Sequence, residues 1–173
     1  MGRLLATAAL AGAAFLCGCS PGLDWRDTRV EATALRAMFP CKPQADSHPV
    51  TLAGRELKLQ ALVCRAGAST FALLFADVGS PAMAAPVLRE WKAASLARLH
   101  SDQARESHFV PAGALQLSES VQLMASGKRP DGSPVQMRAA YFAHGPHVFE
   151  AVIYTGQHEP GFADPFFDGL RFE

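Results

Sequence analysis

Residues 56–76 read ELKLQALVCRAGASTFALLFA and contain the pattern that decides the fold. Polar and apolar residues alternate over 56–64, which places the apolar side chains on one face of a strand: Leu57, Leu59, Ala61 and Val63. Residues 65–68 (RAGA) supply a turn. Residues 69–76 are apolar on both faces, which indicates a strand in the middle of a sheet. We therefore expect two sequential antiparallel strands, the second of them central.

Two shorter strands are predicted before this pair. Residues 36–39 (RAMF) predict a strand that stops at Pro40, because proline cannot donate a hydrogen bond to a ladder. Residues 50–52 predict another strand, which enters a hairpin through residues 53–55 (AGR). These strands and the pair at 56–76 form a meander with local connections.

A long helix is predicted after the meander. Ser80 can cap it, and Pro81 suits its first turn. Apolar residues then recur at helical spacing: Met83, Val87, Leu88, Trp91, Ala94 and Leu99. We expect a helix from Pro81 to Leu99, with an extension as far as Arg105 left open. Its apolar stripe should cover one face of the sheet.

The second half of the chain returns to strands, at 117–124, 135–143 and 148–154. Pro130-Asp131-Gly132 supplies the first turn, because proline presets φ and glycine accepts a positive φ. A tight loop, His144 to His147, joins the last two strands. A short helix is expected over 160–170, and four apolar side chains should dock it on the core: Phe162, Phe166, Phe167 and Leu170.

This order of elements predicts an α+β domain. We expect an antiparallel sheet of about six strands, one long helix after the third or fourth strand, and a short C-terminal helix. The layout resembles the Mog1/PsbP-like fold in its opening Met38-Phe39-Pro40, its Val135–Tyr154 hairpin and its closing FFDGLRF (Phe166–Phe172). The resemblance implies one domain over 35–173. It implies no reaction, because members include photosystem assembly factors and a partner of a small GTPase, and most are not enzymes.

The first 18 residues have the composition of a secretory signal. Arg3 is their one charge, and residues 4–16 form an apolar run too short to span a bilayer stably. Leu16-Cys17-Gly18-Cys19 then resembles the lipobox of bacterial lipoproteins. The resemblance implies cleavage between Gly18 and Cys19, and acylation of the Cys19 thiol and amine. An ordinary signal peptide with a chance cysteine, or a Cys-x-Cys metal site, are the alternatives, although 20–40 contain no His or Cys.

Lipidation would anchor the protein without any transmembrane helix, because two or more acyl chains hold a protein stably on a membrane. Ser20 follows the lipidated cysteine where many retained inner-membrane lipoproteins have Asp, which favours the outer membrane. We expect the protein to face the periplasm there. Residues 19–34 are predicted to form a tether, with Trp25 as an exception that packs on the edge of the domain.

Charge and composition exclude several classes of partner. Removal of residues 1–18 takes only Arg3 from the 16 basic residues, which leaves 15 basic against 16 acidic side chains. A chain with no basic surplus is not expected to bind nucleic acid. Its apolar fraction of 49% and charged fraction of 18% are typical of a folded globular protein.

Cysteine counting leaves one pair in the mature chain. Cys17 leaves with the signal and Cys19 carries lipid, so Cys41 and Cys64 remain. In an oxidising periplasm such a pair is best explained as a disulfide. It would close a loop of about 23 residues and stabilise the fold by roughly 3 kcal/mol. Two reduced, buried cysteines are the alternative.

The motif search finds no catalytic signature and one weak group of metal-ligand candidates. Gly127-Lys128-Arg129 lacks the glycine spacing and the hydroxyl of a P-loop, and no G-x-S-x-G occurs. His144 and His147 share a hairpin tip, and His158 follows the next strand, so together they could bind zinc or copper. Solvent-exposed histidines explain the same pattern.

These observations predict a non-enzymatic lipoprotein that needs no cofactor besides its covalent lipid and binds a protein or envelope partner. The alternative is a small-ligand or metal-binding module that uses the cleft between sheet and helix or the His144/His147 loop.

Overall fold

The structure is a computed structural model that describes residues 23–101, 103–156, 161 and 163–173. Within these residues the chain forms ten strands, a 3-10 turn and two α-helices. In chain order they are β1 (Arg26–Arg29), β2 (Leu35–Phe39), β3 (Gln44–Leu52), β4 (Arg55–Ala66), β5 (Ser69–Asp77), the 3-10 turn (Pro81–Met83), α1 (Ala84–Arg98), β6 (Ala104–His108), β7 (Val121–Lys128), β8 (Pro134–His144), β9 (His147–Thr155), α2 (Asp164–Asp168) and β10 (Arg171–Phe172).

A seven-stranded antiparallel sheet dominates the fold, in the order β3-β4-β5-β9-β8-β7-β6. A smaller antiparallel sheet has the order β1-β2-β10. The predicted α+β class is confirmed, with a large antiparallel sheet, one long helix and a short C-terminal helix. The adjacent strands predicted from 56–76 are β4 and β5, joined by a turn in which Gly67 has a φ of 58°. Strand β5 has neighbours on both sides, as its two apolar faces require.

Several element boundaries differ from the sequence prediction. Strand β3 begins at Gln44, six residues before the predicted 50–52. The helix ends at Arg98 with Leu99 as its C-cap, as predicted, and the extension towards Arg105 that was left open does not form, because His100 has a positive φ of 51°. Residues 104–108 form the unpredicted edge strand β6, and together with unpredicted β1 they raise the strand count. The strand expected over 117–124 begins only at Val121, after a turn closed by a hydrogen bond from the Ser120 amide to the Leu117 carbonyl.

Helix α1 covers one face of the large sheet. Its buried residues, Ala84, Val87, Leu88, Trp91 and Ser95, face the side chains that the alternating strands direct towards it. Burial of each large apolar side chain contributes roughly 2 kcal/mol, so the helix is held mainly by this stripe. As expected, the Ser80 hydroxyl accepts a hydrogen bond from the Ala82 amide (3.3 Å) at the start of the 3-10 turn.

The small sheet and α2 cover the opposite face. An aromatic cluster fills this second core, in which the rings of Phe39 and Phe71 both lie edge-on to Phe166 at 5.3 and 5.4 Å. Phe167 and Leu170 are also buried, so the C-terminal segment docks on the core as predicted. Phe162, which belonged to the same prediction, lies outside the described residues.

The folded unit begins earlier than Leu35, inside the stretch assigned to a tether. Strand β1 pairs along its whole length with β2, and Val30 is only 1% exposed. Trp25 packs edge-on against Phe71 at 6.0 Å between ring centres, which confirms its place at the edge of the domain. The sequence of β1, RDTR, is polar throughout and shows no apolar period, so it does not predict a strand. Pairing with β2 holds β1 in place, because its own side chains bury little surface.

A disulfide joins Cys41 and Cys64, as the cysteine count predicts, with 5.9 Å between their Cα atoms. Cys41 follows β2 and Cys64 lies in β4, so the bond links the small sheet to the large one. It therefore fixes the separation between the layers close to strand β1.

Candidate functional site: the groove beside strand β1

Strand β1 is an edge strand with one side free. It pairs with β2 alone, at the end of the three-stranded sheet. The Val30 amide donates to the Leu35 carbonyl (2.9 Å), and antiparallel hydrogen-bonded pairs recur at every second residue. The main-chain groups of Thr28 therefore also face β2, whereas those of Asp27 and Arg29 point away from it.

An open groove of about 620 Å³ lies along this free edge. One side is β1 and the residues after it, Arg26–Glu31, and the other side is formed by β3, β4 and the segment that leads into β3. Ala45 and Leu62 are directly opposite each other in the β3–β4 ladder, and with Phe75 they give the groove an apolar floor. The large sheet thus extends beyond β1 and leaves a strip of its surface beneath the free edge.

The rim of the groove carries charges of both signs. Arg26 forms a salt bridge with Asp24. Arg29 and Lys42 are exposed, as are the acidic Glu31 and Asp46, and none of these four side chains makes a salt bridge within the part of the chain that the structure describes. Arg29 is therefore a cation on the free edge that remains available to a bound molecule.

An ion-pair network links the three strands of the small sheet. The Asp27 carboxylate accepts hydrogen bonds from Arg36 on β2 (3.1 Å) and from Arg171 on β10 (2.8 Å), so one acidic side chain ties all three strands together. The hydrogen bond from Arg36, with that from Arg171, lowers the pKa of Asp27 below its usual value. Side-chain contacts as well as main-chain pairing therefore connect β1 to the rest of the small sheet.

A buried carboxyl group lies on the other face of the large sheet, under α1. Glu150 is 3% exposed, and its Oε1 accepts hydrogen bonds from the Tyr141 hydroxyl (2.6 Å) and the Ser95 hydroxyl (2.9 Å). Burial raises the pKa of Glu150 above its usual value, although both hydroxyls oppose that rise. Burial, together with the nearby Glu150 carboxyl, also raises the pKa of Tyr154 to about 12.

The Glu150 network acts as a structural link between the helix and the sheet. It connects Ser95 of α1 to Tyr141 of β8 and Glu150 of β9, and all three side chains are buried. The Glu150 carboxyl is therefore not accessible to a substrate from solvent. The motif search missed it, but the sequence contains a signal: Glu150 takes the place of an apolar residue at the inward position between Val148 and Val152.

The structure brings together two of the three candidate metal-binding histidines. His144 and His147 are opposite each other at the tip of the β8–β9 hairpin. The His144 Nδ1 lies 2.9 Å from the Gly113 carbonyl, and its ring stacks on Phe172 at 4.2 Å, so these contacts already orient it. His158, Gly18 and Cys19 lie outside the described residues. Within 23–101, 103–156, 161 and 163–173, no three His, Cys, Asp or Glu side chains are grouped as metal ligands.

No protein-family model matches the chain, and no curated protein is significantly similar to it. Among the helices in the described part of the chain, none is both long and apolar enough to cross a bilayer.

Proposed function

We propose that this protein is a non-enzymatic lipoprotein of the bacterial envelope that binds a protein partner through the groove beside β1. The observation that carries the proposal is the groove itself: an open space of about 620 Å³ with an apolar floor and a hydrogen-bonding edge. Binding sites commonly combine concave apolar surface with a few polar groups of fixed position. The outward main-chain groups of Asp27 and Arg29 on β1 would supply those polar groups.

The lipid on Cys19 would place this groove close to the membrane. Four residues separate Cys19 from Asp24, whose amide bonds to the carbonyl of Pro40, directly after strand β2 of the small sheet. The five Cα-to-Cα steps from Cys19 to Asp24 span at most about 18 Å even when fully extended. The small sheet would therefore lie within that distance of the lipid headgroups, at the periplasmic face of the outer membrane. The Cys41–Cys64 disulfide supports an oxidising compartment.

The placement of the unusual ionisable groups supports a binding role. Glu150, the carboxyl whose pKa is raised, is enclosed under α1 and does not open into the groove. Asp27, which does line the groove, has its carboxylate bound by two arginines. The resemblance to the Mog1/PsbP-like fold, in which binding and assembly factors predominate, supports the same class.

Photocrosslinking in cells tests the proposal directly. A photoreactive phenylalanine analogue replaces Lys42, which is exposed and lines the groove. The matched control places the same analogue at Arg105, which is exposed on β6 at the other edge of the large sheet. We expect a protein adduct of one defined mass from position 42 and none from position 105. Adducts of the same mass from both positions, or none from position 42, would refute the groove as the binding site.

The metal-binding alternative rests on His144 and His147, which are opposite each other at the hairpin tip. Native mass spectrometry with added zinc tests it. One zinc ion retained per chain, and lost in the variant His144→Ala, would favour that alternative over the groove.

A further inference from the structure

We propose that the groove takes its partner as an extended polypeptide that adds a strand to the free edge of β1. This inference rests on the proposed function, because it specifies how the same groove recognises its partner. Strand addition joins the main chain of a peptide to an exposed sheet edge, while alternate side chains enter pockets beside that edge.

The main chain of β1 supplies the hydrogen-bonding groups. Asp27 and Arg29 direct their amides and carbonyls away from β2, into the space beside the strand. An antiparallel peptide placed there would exchange paired hydrogen bonds with both residues. These four main-chain groups require no particular side chain from the partner, so they contribute affinity that does not depend on the partner's sequence.

The floor of the groove leaves room for one added peptide strand but not for pairing of two copies of this protein through β1. A strand lies about 4.8 Å from its neighbour in a sheet, and at that distance from β1 it would rest on Ala45 and Leu62. If two copies paired through β1, the β3 and β4 strands of each would have to lie beneath the β1 of the other. That space is already filled by the first copy's own β3 and β4.

The other three sheet edges, β3, β6 and β10, are less suited to this role. The outer side of β10 is already engaged, because the Phe172 amide donates to the Ala112 carbonyl (2.9 Å). Strand β3 contains Pro49, which cannot donate a hydrogen bond. All five residues of β6 are exposed, so no packed layer covers either face of that edge strand. The main-chain groups of Asp27 and Arg29 on β1 face the groove, whereas β3 forms part of its floor.

Charge complementarity specifies the chemistry of the partner segment. Asp27 and Arg29 share the outer face of the small sheet, and Asp27 is already neutralised by Arg36 and Arg171. Arg29 has no such partner among the described residues. Opposite charges stabilise directly opposed cross-strand pairs. We therefore expect a segment with an acidic residue opposite Arg29 and small apolar residues on the alternate positions that face Leu62.

The test uses the full-length lipoprotein in detergent micelles and a labelled, capped heptapeptide. In this peptide valine alternates with threonine around a central glutamate. Its control has the same side chains, but esters replace the backbone amides, so that donors are lost and shape is kept. We expect saturable binding of the peptide by fluorescence anisotropy, and binding of the ester form weakened at least tenfold.

Two variants at position 29 distinguish the contribution of the main chain to peptide binding from that of the side chain. Arg29→Pro removes the amide that faces the groove while it spares the hydrogen bonds to β2, and it should weaken binding at least tenfold. Arg29→Ala keeps the amide and removes only the charge, so it should weaken binding by about two- to fivefold. Equal losses in both variants, or no binding of the peptide to the unmodified protein, would overturn strand addition.

Hydrogen exchange keeps the inference testable if Arg29→Pro fails to fold. In the unmodified protein, saturating peptide should slow exchange of the Asp27 and Arg29 amides by at least tenfold and leave that of Thr28, which is bonded to β2, nearly unchanged. Unchanged exchange at both positions would overturn the inference. If the peptide does not bind but position 42 still crosslinks to a partner in cells, strand addition is wrong and the proposed function stands. Loss of the crosslink refutes the proposed function itself.

Discussion

Replacement of Glu150 should change how stability depends on pH. The pKa of this carboxyl is raised in the folded protein above its usual value of 4.5, so the folded chain holds a proton at a pH where the unfolded chain has lost it. Stability must therefore fall as pH rises from about 4.5 through the folded pKa, and it stays lower above that point. Glu150→Gln keeps an oxygen for the Tyr141 and Ser95 hydroxyls but cannot ionise, so this slope should disappear.

The size of the effect of Glu150→Ala follows from the hydrogen bonds. Alanine leaves the buried hydroxyls of Tyr141 and Ser95 without their acceptor, at 2.6 and 2.9 Å in the structure. A buried polar group without a partner costs about 1–3 kcal/mol, so two such groups cost about 2–6 kcal/mol. Glu150→Gln should lose much less, because the acceptor oxygen is retained.

Urea unfolding between pH 4 and pH 8, followed by tryptophan fluorescence, measures both effects. Trp91 is buried beside the network on α1 and reports the loss of this packing. We expect the stability of the unmodified protein to fall relative to Glu150→Gln as pH rises. Parallel pH profiles of the two proteins would contradict the assigned direction of the pKa. A Glu150→Ala variant as stable as Glu150→Gln would show that the hydroxyls do not depend on the carboxyl.

Two further predictions concern the connection between the layers and a close backbone contact. Replacement of both Cys41 and Cys64 by alanine should lower the free energy of unfolding by roughly 3 kcal/mol. Chemical denaturation without reductant measures this loss, and an unchanged denaturation midpoint would contradict the prediction. A Cβ atom added at Gly127 would overlap the Leu99 carbonyl oxygen, so Gly127→Ala should lower the melting temperature by several degrees. Gly156→Ala, where a Cβ meets nothing within 4 Å, is the matched control, and equal melting temperatures of the two variants would contradict the contact.

The elements that the sequence could predict are those with a strong apolar period. Strands β4 and β5 and helix α1 bury residues at regular spacing, so local sequence is enough to identify them. Strand β1 (RDTR) and strand β6 (ARESH) have no such period, and they form because a neighbouring strand offers hydrogen bonds. The limits of the proposed tether depend on β1, which explains why the domain begins earlier than predicted.

The candidate site could be predicted only in part for a similar reason. The cysteine count predicts the Cys41–Cys64 bond, because it uses compartment chemistry and no geometry. The groove arises where the small sheet ends above a wider large sheet, and its lining comes from segments up to about 50 residues apart, such as Arg26 and Phe75. No local pattern encodes that juxtaposition. The histidine pattern, in contrast, correctly predicted that His144 and His147 are neighbours. It could not show that the His144 ring stacks on Phe172 and lies within hydrogen-bonding distance of the Gly113 carbonyl.

The proposed function requires that a lipid on Cys19 holds this groove beside the membrane where its partner lies. Photocrosslinking from position 42 in cells, in the unmodified anchor sequence and in Cys19→Ala, tests it most directly. We expect one protein adduct of defined mass from the anchored protein and loss of that adduct in Cys19→Ala, whose chain is left as an unlipidated precursor. An adduct of the same mass and yield in Cys19→Ala would contradict the claim.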